Sequence, residues 1–259
     1  MQHKARKRFG QNFLQDENVI NAIITSLAAK KNQHFVEVGP GLGALTFKLL
    51  PLVTQLDVIE LDRDLAQHLQ NIAAKKSQLT IYNIDVLKFN FTQLQKQPLR
   101  IVGNLPYNIS TTLIFHLLKF TAIISDMTFM LQKEVVERIT AAPNTSSYGR
   151  LSVIVQYYCT TDYLFTVPPT AFKPKPKVES AMVHLTPYQV KPFVAIDEIT
   201  LARIVKLAFM HPRKMIANNL KTIINTNSLE NLSICPKKRP GELSVQDYVT
   251  ISNHFTEKL

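Results

Sequence analysis

The sequence predicts an α/β fold: a mostly parallel sheet with an antiparallel hairpin at one edge, followed by a small helical domain. In the first half of the chain, short apolar runs alternate with segments whose apolar residues recur at helical spacing. This alternation is typical of crossover units and parallel strands. After Tyr158, two strand-like runs follow one another with no helix between them, and past Val190 only helical patterns occur. We therefore expect an α/β domain over residues 1–190 and a helical domain over residues 191–259.

Seven segments are predicted as strands, because each is a short apolar run bounded by polar or turn-forming residues. The last two are joined by a proline-rich loop and form the expected edge hairpin. The segments are HFVEVG from His34, LDVIEL from Leu56, LTIYNID from Leu79, LRIVGNL from Leu99, DMTFMLQ from Asp126, CTTDYLFTV from Cys159 and ESAMVHLTP from Glu179.

Apolar residues at helical spacing predict the helices. The last helix opens with Ser244 as a plausible N-cap, and the first is expected to begin near Asp16. The other predicted helices are ALTFKLLPLV from Ala44, RDLAQHLQNIAA from Arg63, STTLIFHLLKF from Ser110, LARIVKLAF from Leu201 and KMIANNLKTII from Lys214.

The composition describes a basic chain that can build a core. Of its 259 residues, 46% are hydrophobic, and the formal net charge is +11. A charge excess of this size favours attraction to polyanions, although composition alone fits an ordinary basic protein equally well. The cysteines Cys159 and Cys235 lack the spacing of a metal site or a disulfide framework. No apolar run approaches the ~18 residues of a membrane helix, and no signal peptide is recognisable. A cytoplasmic protein without a membrane or metal partner is therefore expected.

Three of the seven glycines lie in the sequence GPGLG at residues 39–43, between the first strand and the next helix. Glycine permits positive φ and a close approach of backbone amides to a ligand, but a tight turn can also need it for steric reasons alone. The spacing differs from both the dinucleotide fingerprint and the Walker loop.

Acidic residues follow the next two predicted strands. Glu60 ends the second, where a carboxylate can accept hydrogen bonds from both ribose hydroxyls, and Asp85 ends the third, near the place for an adenine amino group. Either residue alone could simply be a turn residue or a helix cap. Together with the glycine loop they indicate an adenosine-containing ligand at the carboxyl edge of the sheet. Because no phosphate cradle is evident, S-adenosyl-L-methionine is the predicted ligand.

The stretch IVGNLPYNIS at residues 101–110 leaves the predicted fourth strand and turns polar at Asn104. Asn and Pro form turns, so a turn is expected there in any case. In addition, NLPY at this place resembles the motif of amino-methyltransferases, which methylate exocyclic nitrogens. Together with KRFGQNFL, VEVGPGLGALT, VIELDRDLA, FMLQKEVVERI, YGRLSV and VPPTAFKPKPKVESAMV, it is similar to the KsgA (RsmA) family of small-subunit ribosomal RNA adenine N6,N6-dimethyltransferases.

The resemblance implies a Rossmann-like class I methyltransferase fold that uses S-adenosyl-L-methionine. It implies as substrate two adjacent adenosines in a 3′-terminal hairpin loop of 16S ribosomal RNA, within the 30S subunit or its precursor. It also implies a role in small-subunit assembly beside catalysis, and a monomer is expected.

The residues of NLPY suit methyl transfer to adenine N6, whose lone pair is delocalised into the ring. The side-chain carbonyl of Asn104 and the backbone carbonyl of Leu105, held by rigid Pro106, can accept hydrogen bonds from the amino group. These bonds favour a pyramidal amine with an available lone pair. Tyr107 offers a face on which the base can stack. Fixed polar groups and in-line placement then lower the barrier, and no general base is required.

The resemblance implies roles for further residues. Phe172 resembles a second aromatic that closes on the target base, although an apolar ring in this loop can equally anchor the hairpin to the core. The implied cofactor contacts are Gln11, Asn12, Leu14, Gly39, Gly41, Glu60, Asp85 and Asn104.

Basic clusters are the candidate RNA contacts, because folded RNA is bound over a broad phosphate surface. The target base must leave its stack, which costs least in a loop. Any one cluster can instead be only a solvated charged face. The candidates are Arg6, Lys7 and Arg8 near the N-terminus, Lys173, Lys175 and Lys177 in the proline-rich loop, and Arg213 and Lys214 in the tail.

Three other functions stay open at this point. A resistance-type dimethyltransferase of large-subunit RNA shares NLPY, but the PPTAFKPKPKV loop and the tail favour the small-subunit enzyme. A DNA adenine methyltransferase more commonly carries Asp-Pro-Pro-Tyr and an inserted recognition domain. A non-catalytic ribosome-assembly factor could keep the fold, although Glu60, Asp85 and Asn104 argue for activity. The tail departs from the family pattern at His211-Pro212 and Gly241, in the part expected to meet the ribosome and outside the motifs of the reaction.

Overall fold

The structure is a computed structural model that describes residues 11–73, 76–94 and 98–256. All seven predicted strands are present, and two short strands that the pattern did not predict are added to them. The strands are β1 (Phe13–Leu14), β2 (His34–Val38), β3 (Gln55–Ile59), β4 (Leu79–Tyr82), β5 (Leu99–Asn104), β6 (Ile124–Gln132), β7 (Cys159–Val167), β8 (Phe172–Lys173) and β9 (Ser180–Pro187).

Seven strands form one sheet in the order β4-β3-β2-β5-β6-β9-β7. Within it, β4, β3, β2, β5 and β6 run parallel, whereas β9 is antiparallel to β6. The predicted edge pair is confirmed, because β9 and β7 are neighbours and β7 is the outermost strand. The strand order reverses direction between β2 and β5, which is the place where open α/β sheets bind ligands.

Ten α-helices are present in the part of the chain that the structure describes. The first helix begins after Asp16, whose side chain accepts hydrogen bonds from the backbone amides of Asn18 and Val19, as the sequence predicts. The helices are α1 (Glu17–Leu27), α2 (Thr46–Leu49), α3 (Arg63–Ala73), α4 (Ser110–Leu117), α5 (Lys133–Thr140), α6 (Arg150–Tyr158), α7 (Glu198–Ala208), α8 (Ile216–Leu220), α9 (Thr226–Asn231) and α10 (Val245–Thr256).

Two predicted helices are much shorter than expected, and three helices were missed. The segment from Ala44 holds only the four-residue α2 and a 3-10 turn over Leu50–Leu52, where Pro51 interrupts the regular hydrogen bonding. The segment from Lys214 is α-helical only over α8, which contains two asparagines, and Asn is a poor helix former. The sequence pattern did not predict α5, which follows β6 directly, nor α6 and α9.

The chain divides into two compact units. Among the described residues, the first unit runs to Val136 and resumes over Asp162–Pro187, and the second holds Glu137–Thr161 and the chain from Tyr188 onward. The predicted single boundary at residue 190 lies close to the last of these junctions. It does not separate Glu137–Thr161, which belongs with the C-terminal helices because α6 packs against α7 and α10.

The first unit is built on an apolar core that joins α1, α2 and the sheet. Ile23, Phe35, Leu49 and Leu56 are fully buried in it. The second unit has its own core, in which Tyr248 is fully buried and its hydroxyl donates to the backbone carbonyl of Pro240 at 2.7 Å. None of the described helices combines the length and apolar character that crossing a bilayer requires.

Candidate active site

A cleft of about 350 Å³ opens at the carboxyl ends of the central parallel strands of the first unit. Its walls are the glycine loop after β2, the segments that follow β3 and β4, the NLPY stretch after β5, and the chain before and within β1. A cleft of this size and position is typical of small-molecule sites in α/β proteins.

The glycines of the loop serve two purposes. Gly39, Gly41 and Gly43 have φ of +67°, +58° and +87°, a region that favours glycine. A Cβ on Gly43 would lie 2.3 Å from a ring carbon of Phe47, so this glycine is needed for steric reasons. Gly39 and Gly41 line the cleft, where they let the backbone approach a ligand.

Glu60 ties the glycine loop to the end of β3. One carboxylate oxygen accepts from the backbone amide of Gly41 at 3.1 Å, and the other accepts from that of Asp62 at 2.8 Å. Only 6% of Glu60 is exposed, and burial raises the pKa of its carboxyl above the usual value. A carboxylate has about four acceptor positions, so these bonds leave room for hydroxyl groups of a ligand.

Glu37 is a cleft residue that the sequence analysis missed. It lies in β2 and is 2% exposed, and the hydroxyl of Thr46 donates to its carboxylate at 2.6 Å. Burial raises the pKa of this carboxyl to about 7. The signal in the sequence was an acidic residue inside the apolar run HFVEV, since acidic side chains are rarely fully buried without a reason.

Asp85 lies beyond its strand rather than at its end, because β4 stops at Tyr82. Its carboxylate accepts from the backbone amide of Leu87 at 3.0 Å and caps a 3-10 helix over Val86–Lys88. The cap interpretation is therefore correct, and Asp85 lines the cleft as well.

The NLPY stretch forms the turn that its composition predicts. The backbone amide of Ile109 donates to the carbonyl of Pro106 at 3.1 Å, and the amide of Leu105 donates to Met130 in β6 at 3.1 Å. The side-chain nitrogen of Asn104 donates to the backbone carbonyl of Asn12 at 3.1 Å. This bond fixes the orientation of the Asn104 amide and leaves its oxygen as a hydrogen-bond acceptor.

Tyr107 is half-buried at the rim of the cleft. Its hydroxyl lies 2.8 Å from the hydroxyl of Ser180, the first residue of β9. Burial raises the pKa of the Tyr107 phenol above its usual value, so the hydroxyl stays protonated at neutral pH.

The short strands β1 and β8 pair antiparallel and hold the N-terminal wall of the cleft. Gln11 and Asn12 precede β1, and the side chain of Gln11 donates to Asp62 at 3.1 Å. Leu14 is 7% exposed and lies opposite Phe172. All the predicted cofactor contacts line this one cleft: Gln11, Asn12, Leu14, Gly39, Gly41, Glu60, Asp85 and Asn104.

Phe172 is the candidate catalytic residue that the structure does not bring into the cleft. It is 5% exposed and belongs to the apolar core of the first unit, whereas Asn104, Leu105, Pro106 and Tyr107 line the cleft. Its burial favours the interpretation that the ring anchors the loop. A role on the target base stays a prediction.

The candidate RNA contacts that the structure describes fall into two groups, one in each unit. Lys173, Lys175 and Lys177 are exposed in the loop of the first unit, and Arg213 and Lys214 are exposed in the second. The cluster of Arg6, Lys7 and Arg8 lies outside the described residues. Among the described residues, no group of three or more His, Cys, Asp or Glu is placed to hold a metal ion.

This sheet, with its glycine loop and the acidic residues that follow β3 and β4, defines the class of S-adenosylmethionine-dependent methyltransferases. The residues present fit that cofactor, because Glu37, Glu60 and Asp85 place acidic groups around a cleft for a cationic adenosine derivative. When bound, the cofactor supplies an electrophilic methyl group on a sulfonium.

Comparison with known proteins places the chain within this class. The model of the family described as ribosomal RNA adenine dimethylase matches residues 2–257. Ribosomal RNA small subunit methyltransferase A of Saccharophagus degradans is 52% identical over 97% of this chain and 94% of its own length. The protein of the same name from Legionella pneumophila is 51% identical over 99% of this chain and 100% of its own length.

A solved structure agrees with these sequence relationships. The crystal structure of a dimethyladenosine transferase from Plasmodium falciparum is 25% identical and has a TM-score of 0.82 over 95% of this chain and 98% of its own. The chain belongs to the ribosomal RNA adenine dimethylase family. The predicted family, the S-adenosylmethionine-dependent reaction on ribosomal RNA adenine, and the fold class are confirmed.

Proposed function

We propose that this chain dimethylates N6 of two adjacent adenosines in the 3′-terminal hairpin loop of 16S ribosomal RNA during small-subunit biogenesis. The observation that carries this proposal is the orientation of the Asn104 amide. Its nitrogen is engaged by the carbonyl of Asn12 at 3.1 Å, so its oxygen is left to accept a hydrogen bond in the cleft. The similarity to proteins named ribosomal RNA small subunit methyltransferase A supports the small-subunit substrate.

In this proposal the turn after β5 prepares the amino group of adenine for attack. The oxygen of Asn104 and the backbone carbonyl of Leu105 accept from its two N–H groups, which reduces delocalisation of the lone pair into the ring. The backbone amide of Leu105 is bound to Met130, so the turn is fixed to the sheet before substrate arrives. A fixed acceptor pair costs no reorganisation during the reaction.

Tyr107 holds the base in place, and the acidic residues hold the cofactor. The ring of Tyr107 at the rim provides a stacking face worth roughly 1–3 kcal/mol. Glu60 accepts from the ribose hydroxyls and Asp85 from the adenine amino group of the cofactor. The proton released from N6 passes to water, since the product amine is not held by a dedicated base.

The RNA is held by exposed cations on both units. In this proposal Lys173, Lys175 and Lys177 bind phosphates beside the flipped base. Their exposure in the loop that leads into β9 supports this role. Arg213 and Lys214 in the helical unit contact the ribosomal subunit, and the N-terminal basic cluster adds to this surface. The protein acts in the cytoplasm, as a monomer, on the 30S subunit or its precursor.

Nucleoside mass spectrometry tests the proposal. The protein is incubated with isotope-labelled S-adenosylmethionine and either unmethylated 30S subunits or protein-free large-subunit RNA, and the digested nucleosides are analysed. We expect labelled N6,N6-dimethyladenosine from the 30S subunits alone. Label in the large-subunit RNA would favour the resistance-type activity, and label in neither, with binding to the subunits retained, would favour a non-catalytic assembly factor.

A further inference from the structure

A buried serine lies behind the proposed stacking residue. The hydroxyl groups of Ser180 and Tyr107 are 2.8 Å apart, and either can be the donor. Ser180 is completely buried, whereas Tyr107 is half-buried at the rim of the cleft. The bond joins residues 73 positions apart in the chain.

The position of Ser180 is fixed by the sheet. It is the first residue of β9 and pairs with Gln132, the last residue of β6. On its N-terminal side, the backbone amide of Lys133 donates to the carbonyl of Glu179 at 3.0 Å, and the two side chains form an ion pair at 2.9 Å. The serine hydroxyl therefore stands on a rigid element, as a positioning group should.

Ser180 places a hydroxyl in a fully buried strand position, and a buried hydroxyl costs free energy unless it is hydrogen-bonded. The hydroxyl of Tyr107 is the partner that the structure gives it. What the bond adds is a second point of attachment for the ring, beyond the turn that holds the backbone of Tyr107.

We infer that Ser180 is a positioning residue that fixes the ring plane of Tyr107 so that the target base stacks in line for methyl transfer. The inference rests on the proposed stacking role of Tyr107. Because Tyr107 is held both at its backbone and at its hydroxyl, rotation of the ring about the side-chain torsions is restricted. The stacked base then keeps a constant distance from Asn104, and small misplacements of reacting atoms are costly.

The test compares S180A, Y107F and the double variant in steady-state methylation of 30S subunits. Each single variant removes one partner of the bond, and Y107F keeps the stacking face. We expect each to lower kcat roughly threefold to tenfold, the range for loss of one hydrogen bond, with KM for the subunit and the Kd of S-adenosylmethionine unchanged. The double variant should be no slower than the slower single variant, because both changes break the same interaction.

T128V is the matched control. The hydroxyl of Thr128 in β6 lies 2.8 Å from Nδ1 of His184 in β9, so this variant removes a part-buried side-chain hydrogen bond of β9 at residues that do not line the cleft. It should lower Tm without changing kcat. Normal kcat in S180A or Y107F, losses that multiply in the double variant, or an equal loss of kcat in T128V would overturn the inference.

Y107A separates this inference from the proposal on which it rests. Retained activity in Y107A would refute the stacking role itself. Loss of activity in Y107A with full activity in S180A and Y107F would leave stacking intact and refute only the role of Ser180.

Discussion

The side-chain nitrogen of Asn104 donates to the backbone carbonyl of Asn12 across 92 residues of sequence, at 3.1 Å. This bond joins the N-terminal segment to the turn after β5 and sets the orientation of the amide to which we assign the acceptor role in the proposed reaction. The turn after β5 is therefore completed by a segment that precedes the first strand of the main sheet.

Removal of the Asn104 side chain should abolish catalysis while sparing the cofactor. For Asn104→Ala we expect kcat to fall by about 100-fold or more, the effect of losing a fixed polar group that acts on the transition state. Calorimetry should show only modestly weaker binding of S-adenosylmethionine, since Glu60 and Asp85 remain. Asn71→Ala, which alters an exposed asparagine in α3, serves as the control. Turnover close to that of the wild type would refute the acceptor role.

Charge reversal in the proline-rich loop should weaken RNA association. Replacing Lys173, Lys175 and Lys177 by Glu should reduce the slope of log K against log salt concentration by up to about one for each phosphate that the loop no longer neutralises. Filter binding of the RNA over a salt series measures this slope.

The control for this prediction reverses the exposed residues Lys30, Lys31 and Lys76, which lie outside the cleft. An identical salt slope in the loop variant and the wild type would mean that the loop lysines do not touch phosphates.

Glu37 should make the folded protein less stable as pH rises from acid to neutral. Burial is the main cause that raises its pKa from 4.5 to about 7, the charge of Glu60 adds to it, and the hydrogen bond from Thr46 opposes it. Below pH 4.5 the carboxyl is protonated in both states and has no effect. Between 4.5 and about 7 only the unfolded chain releases the proton, so the free energy of unfolding decreases.

Above pH 7 the raised pKa of Glu37 lowers the free energy of unfolding by roughly 3 kcal/mol at most, because each pKa unit corresponds to about 1.4 kcal/mol. Glu37→Gln should remove this pH dependence and raise stability at neutral pH, as measured by urea unfolding between pH 4 and pH 8. Glu230→Gln, which alters an exposed carboxyl, is the control. A pH profile that does not change in Glu37→Gln would show that this carboxyl is not the group responsible.

Gly103 should tolerate no side chain, although its backbone is part of a regular strand. A Cβ at this position would lie 2.5 Å from the backbone oxygen of Val38, and neither strand can move without disturbing the cleft. We expect Gly103→Ala to lower the free energy of unfolding by roughly 1–3 kcal/mol. In Gly241→Ala the new Cβ would make only an ordinary contact, 4.0 Å from the backbone oxygen of Tyr148, so this variant should unfold like the wild type. Equal stability of the two variants would contradict this explanation of how β2 and β5 pack.

Much of the fold follows from local patterns in the sequence. The apolar runs predicted every strand of the main sheet, and Asp16 and Ser244 predicted the starts of α1 and α10; Ser244 accepts from the backbone amide of Asp247 at 3.1 Å. The acidic residues after β3 and β4 predicted the cleft, because the carboxyl ends of parallel strands meet at one edge.

The remaining features depend on contacts between distant parts of the chain. Local periodicity in the sequence cannot predict the hydrogen bonds of Asn104 to Asn12 and of Tyr107 to Ser180, because each joins residues far apart in the chain. The burial of Phe172 follows from the pairing of β8 with β1, two strands too short to predict. Glu37 is an acidic residue inside the apolar run HFVEV, but only the completed sheet shows that its position faces a cleft.

A crystal structure with S-adenosylhomocysteine and an RNA hairpin would show the proposed acceptor pair at work on its substrate. We expect N6 of the target adenine within about 3.2 Å of both the side-chain oxygen of Asn104 and the backbone oxygen of Leu105, with the base against Tyr107. A cofactor bound away from Asn104, or a target base whose amino group faces neither oxygen, would refute the proposed mechanism.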